Sequence, residues 1–222
     1  MCFFVATLKT MQKQLLIFDL DGTLIDSRLD LATGINLMRR HYNLPPLPAD
    51  TIAGWIGEGI HNLVKRCLQG HPADLEEAVR INYESYLKHI HEKTSLYPGV
   101  ADGLAALYTH GHELALFSNK RAGASRMILE HFKLMKFFKN IIGGDSNFPL
   151  KPAPEGVCEL MRRAGAGAEN TWIIGDNHTD LAAARNAKVK SVFVNYGIGE
   201  AQGEKASLYF DDFTSLAGYF LN

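Results

Sequence analysis

Short apolar runs that end at glycine or at a polar residue recur along the chain. The first covers residues 15–18 and is followed by an Asp-x-Asp-Gly sequence. Further runs of this form cover residues 113–117, 141–142, 171–174 and 191–194. Continuous short apolar runs of this kind are typical of strands that are buried on both faces, as in a parallel sheet.

Helical patterns fill the intervals between these strands. We predict helices over residues 100–108, 122–132, 155–164 and 179–187, with stop signals at Gly111 and Gly165. From residue 97 onward, strand and helix alternate. This alternation predicts an α/β fold, a Rossmann-like parallel sheet with helices on both faces.

Residues 28–94 interrupt the alternation, because they carry helical stripes and no convincing strand. The stripes are Leu31, Ile35 and Met38, then Ile60, Leu63, Val64 and Leu68, then a less regular one through Ala78, Ile81, Ser85 and residues 87–90. We interpret residues 28–94 as a small all-helical cap inserted after the first strand. Residues 14–27 and 95–222 would form the α/β core, and residues 1–13 an N-terminal extension.

Composition narrows the class of protein. The 222 residues are 46% hydrophobic and carry a net charge of −1, so the chain can bury a core and has no basic excess for nucleic acid. Its longest N-terminal apolar stretch is too short to span a bilayer, so we expect no membrane partner. Cys2, Cys67 and Cys158 form no CxxC pair, which favours free thiols and a cytoplasmic protein.

Polar residues follow the predicted strands or lie in the loops beyond them. They are Asp19 and Asp21, Ser118 and Asn119, Lys151, and Asp176 and Asp180. The carboxyl ends of parallel strands meet at one edge of a sheet, where ligands bind, so we expect these side chains to converge.

The acidic residues form two pairs. Asp19 and Asp21 share a face at a strand end, so one could attack while the other moves protons; the alternative is an Asp-Gly turn with a solvated neighbour. The alternative for Asp176 and Asp180 is that they cap the N-terminus of a helix, but we assign this capping role to Thr179. Several carboxylates in one pocket repel each other unless a cation lies among them, and hard oxygen ligands point to Mg²⁺.

Ser118, Asn119 and Lys151 together suit a phosphate group, although each alone is typical of a turn or a solvated surface residue. A carboxylate that attacks a phosphate dianion faces two repulsive pairs of about 4 kcal/mol each at ~4 Å and an effective dielectric of ~20. A lysine and a divalent cation together turn this net repulsion between carboxylate and phosphate into attraction. A carboxylate nucleophile would therefore need both Lys151 and the metal.

Four ordered motifs resemble those of the haloacid dehalogenase-like hydrolase superfamily. They are Asp19-Leu20-Asp21-Gly22-Thr23-Leu24, Ser118-Asn119, Lys151-Pro152 and Gly175-Asp176-x-x-x-Asp180. The helical insertion resembles the small cap of that superfamily, and the resemblance runs from Gln14 to the C-terminus. Asp21 favours phosphoryl transfer over dehalogenation, since the dehalogenases lack an acid there. Further segments are similar to the phosphoglycolate phosphatase family, namely residues 26–27, 55–59, 63–64, 96–100, 118–120 and 195–197.

The resemblance implies a Mg²⁺-dependent phosphatase that hydrolyses a small phosphorylated metabolite through an aspartyl-phosphate. It implies that Asp19 is the nucleophile and Asp21 the general acid and base. It also implies that Ser118, Lys151 and the Asn119 N–H hold the phosphoryl oxygens.

The remaining implied roles concern the metal and the cap. Mg²⁺ would be held by the Asp19 and Asp176 carboxylates and the Asp21 backbone carbonyl, with Asp180 orienting the metal waters or Lys151. The cap segment Gly57-Glu58-Gly59 would contact the substrate, the alternative being an ordinary helix–helix turn. We treat His178 as a bystander.

Other activities stay open at this point. A sugar phosphomutase would need an acid or base in the cap, for which His61 or His71 could be proposed. Inorganic pyrophosphatase and nucleotidase activities are compatible with the same motifs. A phospho-acceptor signalling domain also uses acidic residues and a lysine on a parallel sheet, but it is much shorter and lacks the helical insertion.

Overall fold

The protein is described by a computed structural model of residues 13–222, so Cys2 and all of the N-terminal extension except Lys13 lie outside the described residues. A six-stranded sheet is formed by β1 (Leu15–Phe18), β4 (Glu113–Phe117), β5 (Phe138–Ile142), β6 (Thr171–Gly175), β7 (Lys190–Val194) and β8 (Leu208–Phe210). Every neighbouring pair is parallel, in the order β5-β4-β1-β6-β7-β8. The predicted Rossmann-like α/β fold is confirmed.

Helices cover both faces of this sheet. They are α5 (Val100–Thr109), α6 (Ala122–His131), α7 (Glu155–Ala164), α8 (His178–Ala187) and α9 (Phe213–Leu221). Alternate residues of β1 point to opposite faces. Leu16 and Phe18 belong to the core cluster that contains α5, α6 and α9, whereas Leu15 and Ile17 belong to the cluster that contains α7 and α8.

The segment between β1 and α5 is helical, as the sequence predicts. It contains α1 (Arg28–His41), α2 (Ala49–Ala53), α3 (Ile60–Leu68) and α4 (Leu75–Leu87), which share a hydrophobic cluster of their own. Two short strands, β2 (Ile25–Asp26) and β3 (Ser95–Leu96), pair antiparallel where the chain leaves and re-enters the core. The buried Asp30 carboxylate ties these connections together, because it accepts hydrogen bonds from the backbone N–H groups of Lys93 and Thr94.

Several elements differ from the sequence predictions. The strands β2, β3 and β8 and the helices α2 and α9 were not predicted. The third helical stripe was wrong in detail, because the buried positions of α4 are Ala78, Val79, Asn82 and Tyr86 rather than Ile81 and Ser85. Two polar residues therefore occupy the inner face of this helix. No helix within residues 13–222 combines the length and the apolar character that a membrane span requires.

Candidate active site

The motif residues converge at the carboxyl edge of the sheet. Asp19, Ser118 and Asp176 each follow the last residue of their strand, and β1 lies between β4 and β6. All three side chains are buried. The convergence that the sequence predicts at this edge is therefore observed.

The turn after Asp19 brings a backbone segment directly against Asp176. Gly22 has φ of +84°, and a Cβ at this position would collide with the Asp176 carboxylate. Thr23 donates from Oγ1 to Asp176 Oδ1 over 2.9 Å, and the N–H groups of Ile198 and Gly199 donate to Oδ2 over 2.9 and 2.8 Å. Asp176 is thus fixed in orientation, and only glycine fits at position 22.

Lys151 is a buried cation between two carboxylates. Its Nζ lies 2.9 Å from Asp19 Oδ1 and 2.6 Å from Asp180 Oδ1. Burial alone would lower the pKa of Lys151, but the Asp180 and Asp19 carboxylates outweigh that effect and hold the pKa above its usual value. The ammonium charge is therefore retained inside the protein.

The backbone around Lys151 is held by the side chain of Asn119. The Lys151 N–H donates to Asn119 Oδ1 over 2.8 Å, and Asn119 Nδ2 donates back to the Lys151 carbonyl over 3.1 Å. The same Nδ2 donates to the Gly57 carbonyl of the helical segment over 2.8 Å. The sequence predicts that the backbone N–H of Asn119 binds a phosphoryl oxygen. The structure adds a second role, since the Asn119 side chain positions the backbone of Lys151.

Three carboxylates could hold a metal ion. One oxygen from each of Asp19, Asp176 and Asp180 lies within 4.8 Å of the others. Burial, and next the Asp19 charge, raise the pKa of Asp176 to about 6. Burial also raises the pKa of Asp180, although the Lys151 charge opposes the shift. Lys151 alone does not compensate this negative charge, so the donor set fits a hard divalent cation.

We call Asp19, Lys151, Asp176 and Asp180 the floor of the site. Asp180 also stabilises the start of α8, because its Oδ2 accepts from the Asn177 N–H over 3.1 Å. Asn177 is the N-cap residue of this helix, and the two form a capping box. The expectation that Thr179 would be the cap was wrong, since the Asn177 side chain accepts from the Thr179 N–H instead.

Asp21 is held by a lysine that the sequence analysis left without a role. Lys120 Nζ lies 3.0 Å from both Asp21 carboxylate oxygens, and Ser27 Oγ donates to Oδ1 over 2.5 Å. Lys120 Nζ also lies 4.6 Å from the centre of the Tyr86 ring. Burial alone would lower the pKa of Lys120, but Asp21 and Tyr86 outweigh it and the pKa is raised. Lys120 thus links Asp21 to helix α4.

A cavity of ≈ 60 Å³ lies above Asp19 and Asp21. Its core side is formed by Asp19, Asp21, Ser118, Asn119, Lys120, Arg121 and Ala124. The opposite side is formed by Leu31, Ile56, Gly57, Gly59, Ile60, Leu63, Asn82, Tyr83 and Tyr86. We call Asn82, Tyr83 and Tyr86 of α4 the roof. A small ligand in this cavity would contact both the sheet edge and the helical segment.

The predicted substrate loop is only partly at the cavity. Gly57 and Gly59 line it, whereas the Glu58 carboxylate lies 2.7 Å from Arg66 of α3 and is not among the lining residues. Asn177 Nδ2 donates to the Ile56 carbonyl over 3.4 Å, so this loop contacts two asparagines of the core. Both contacts hold the Ile56 and Gly57 carbonyls against the carboxyl edge of the sheet.

The histidines considered above lie away from the cavity. His61 is exposed and pairs with Glu76, and His71 packs against the Tyr42 ring with centroids 5.5 Å apart. His178 N–H donates to the Glu200 carbonyl over 2.9 Å. None of the three lines the cavity.

Sequence reasoning missed Lys120, Arg121, Asn82, Tyr83 and Tyr86 as cavity residues. A signal for the first two was present, since they directly follow Asn119 at the predicted sheet edge. Asn82 and Tyr86 are four residues apart and therefore share a helix face. Nothing in the local pattern indicated that this face would lie over the core.

The model for the family described as haloacid dehalogenase-like hydrolase matches residues 16–194. The chain belongs to this family. All four motifs and the helical segment lie within the match, so the family's motif order is present together with the converging side chains described above. The family membership makes the protein a hydrolase.

Individual relatives agree over nearly the whole chain. A phosphoglycolate phosphatase of Psychrobacter arcticus is 37% identical over 95% of this chain and 97% of its own length. A phosphoglycolate phosphatase of Pseudomonas putida is 36% identical over 91% of this chain and 78% of its own length. Among solved structures, a protein described as a predicted phosphoglycolate phosphatase from Haemophilus somnus has a TM-score of 0.88 at 29% identity, over 95% of this chain and 99% of its own.

Proposed function

We propose that this hydrolase is a Mg²⁺-dependent phosphatase that hydrolyses a small phosphate monoester, 2-phosphoglycolate, through an aspartyl-phosphate on Asp19. The observation that carries the proposal is that Asp19 and Asp21 line one cavity with Ser118, while Lys151 Nζ lies 2.9 Å from Asp19. Nucleophile, proton carrier, hydroxyl and cation are thus grouped at one point. Relatives that are 34–37% identical are named phosphoglycolate phosphatases, which supports the choice of ester.

The proposed reaction has two steps. Asp19 attacks phosphorus, the bond from phosphorus to the ester oxygen breaks, and Asp21 gives its proton to the leaving alkoxide. Asp21 then takes a proton from water, the water oxygen bonds to phosphorus, and the bond from phosphorus to Asp19 breaks. Glycolate and inorganic phosphate leave, and both carboxylates return to their starting forms.

The floor residues supply the electrostatics. Lys151 faces the attacking carboxylate and would face a phosphoryl oxygen, with the Ser118 hydroxyl and the Asn119 N–H as further donors. Mg²⁺ would be held by the Asp19 and Asp176 carboxylates and the Asp21 carbonyl, and when bound it supplies positive charge against the repulsion between nucleophile and phosphate. Asp180 holds Lys151 in position. It also lies beside the metal site, where it would orient the waters bound to the metal rather than bind the metal itself.

We propose residues 28–94 as the cap and residues 14–27 and 95–222 as the core. The separate hydrophobic cluster of α1 to α4 supports this division. A cap that closes over the floor would exclude water before attack. We also propose a cytoplasmic location, supported by Cys67 and Cys158, which are free thiols.

A sugar phosphomutase is less well supported. It would need an acid or base from the cap, but His61 and His71 do not line the cavity.

Phosphate release tests the proposal directly. With Mg²⁺, we expect multiple turnovers on 2-phosphoglycolate and slower release from pyrophosphate, hexose phosphates and nucleotides. EDTA should stop the reaction and excess Mg²⁺ should restore it. A single equivalent of phosphate transferred to the protein without turnover would instead indicate a signalling receiver.

A further inference from the structure

The roof contains polar atoms that the protein itself does not satisfy. Asn82 and Tyr86 are each only 3% exposed, yet Asn82 Oδ1 has no hydrogen-bond partner within residues 13–222. The Tyr86 hydroxyl interacts with the Lys120 ammonium, which has no acceptor to offer, so the phenol proton has no acceptor among these residues. A buried polar atom without a partner costs about 1–3 kcal/mol. Because both residues line the cavity, a bound ligand could supply the missing partners.

Both side chains can donate a hydrogen bond at this surface. Burial raises the pKa of Tyr86 to about 12, so its phenol keeps its proton. A half-turn of the Asn82 amide exchanges Oδ1 for Nδ2, which can donate from the same place. Two residues that carry donors, four positions apart on α4, therefore line the cavity together.

A cation lies on the adjoining wall. The Arg121 guanidinium stacks 4.5 Å from the centre of the Tyr83 ring. Within the described part of the chain Arg121 pairs with no carboxylate, whereas Nζ of the neighbouring Lys120 lies 3.0 Å from Asp21 Oδ1. The nearby Asp145 carboxylate instead accepts from the Ala122 N–H at the start of α6, over 2.7 Å. Arg121 therefore keeps its in-plane donors for an incoming anion.

The cavity limits the size of that anion. At about 10–15 Å³ for each water-sized group, the ≈ 60 Å³ volume takes roughly four to six such groups. This is enough for a leaving group of the size of glycolate. The cavity lies between Asp21, which would protonate the leaving oxygen, and the roof.

We propose that Tyr86, Asn82 and Arg121 form a second anion subsite that binds a carboxylate on the leaving alcohol. The inference rests on the proposed phosphatase function and deepens it, since it assigns the residues that would select an ester whose leaving alcohol carries a carboxylate. A carboxylate accepts from the phenol and the amide and pairs with the guanidinium. A neutral alcohol of the same size would leave Arg121 unpaired, so selectivity arises in this subsite rather than at the floor.

Matched esters test this subsite. The ratio of kcat/KM for 2-phosphoglycolate to that for 2-hydroxyethyl phosphate compares a carboxylate with a neutral group of similar size. We expect a ratio well above one for the parent chain. Tyr86→Phe, Asn82→Leu and Arg121→Met should each lower the ratio by about 10–100-fold, as expected for the loss of a hydrogen bond to a charged group.

Two control variants match these changes. Tyr42 also has a buried hydroxyl without a partner, but it lies outside the cavity; Arg126 is an exposed arginine on α6. Tyr42→Phe and Arg126→Met should leave the ratio as it is in the parent. If the three subsite variants slow both esters equally, their role is structural and the inference is wrong.

The phosphatase proposal can fail separately. If the parent chain hydrolyses neither member of the first pair, 2-phosphoglycolate is not the substrate, and 3-phosphoglycerate with glycerol 3-phosphate provides the same ratio test. A parent chain that hydrolyses these esters without preferring the carboxylate would overturn the subsite while leaving the phosphatase activity intact. Thermal melts identify any variant that fails to fold, and the other two variants then decide.

Discussion

The charged groups of the floor pair with one another, whereas polar groups of the roof lack part of their hydrogen-bond partners within residues 13–222. Asp176 accepts three hydrogen bonds, and Lys151 lies between Asp19 and Asp180. Asn82 Oδ1 is equally buried and has no partner in residues 13–222, and the equally buried Tyr86 hydroxyl interacts with Lys120 but finds no acceptor there for its proton. The floor is therefore preorganised for a step that is common to phosphate esters, while the roof is completed only by a particular leaving group.

The largest expected effect comes from the nucleophile. Asp19→Asn removes the attacking oxygen and leaves the side-chain volume nearly unchanged, so kcat should fall by at least about 10⁴-fold while the fold is retained. Steady-state phosphate release measures the loss, and circular dichroism checks the fold. Activity near that of the parent would contradict the assignment of Asp19 as nucleophile.

A smaller loss is expected at Lys120, which joins the two regions. Lys120→Met frees the Asp21 carboxylate from two 3.0 Å contacts, so the proton carrier is misplaced and kcat should fall by about 10²-fold. Lys120→Arg keeps a charged donor and should restore part of the rate. If Lys120→Met raises KM and leaves kcat unchanged, Lys120 binds substrate rather than positioning Asp21.

The stability of the protein should depend jointly on pH and on Mg²⁺, through Asp176 of the floor. The pKa of Asp176 is raised to about 6, above its value in the unfolded chain, so the metal-free folded protein gains stability as pH falls through about 6. Mg²⁺ binds the ionised carboxylate, so its stabilising effect should be full above that pH and shrink below it.

Melting curves with and without Mg²⁺ measure this linkage. At a Mg²⁺ concentration of about 100 times its Kd, Tm should rise by roughly 5–10 °C at pH 7.5 and by much less at pH 5. Asp176→Asn serves as the control and should abolish the rise. Equal shifts at the two pH values would show that Asp176 does not take part in binding the metal.

The smallest effect concerns the stability of the roof. Tyr86→Phe removes a buried hydroxyl whose proton has no acceptor in the free protein, so the free energy of unfolding should increase by up to about 1 kcal/mol even as the hydrolysis of 2-phosphoglycolate slows. Tyr42→Phe should stabilise the protein similarly without slowing hydrolysis. A Tyr86→Phe protein that is less stable than the parent would show that the contact of the hydroxyl with Lys120 outweighs the cost of burying it.

The same contrast explains what could be predicted from the sequence. The central strands are continuous apolar runs, and a residue directly after a parallel strand lies at a known edge of the sheet. Asp19, Ser118 and Asp176 could therefore be placed from local pattern alone. Short elements were missed: β2 and β3 have two residues each, and β8 is an edge strand of three residues.

The roof could not be predicted, because it depends on how α4 packs over the core. The helical stripe in the sequence predicts Ile81 and Ser85 on the inner face of this helix, but Asn82 and Tyr86 occupy it. A polar residue on a buried face contradicts the usual hydrophobic pattern. Such a violation is expected where a side chain serves a ligand rather than the fold.

Trapping the covalent intermediate tests the central claim most directly. Asp21→Asn should still allow Asp19 to attack but should slow the hydrolysis of the aspartyl-phosphate. Mass spectrometry of the variant, quenched after mixing with 2-phosphoglycolate and Mg²⁺, should find phosphate on the peptide that contains Asp19 and on Asp19 itself. A phosphate carried by another residue, or continued turnover with no phosphorylated protein, would contradict the account.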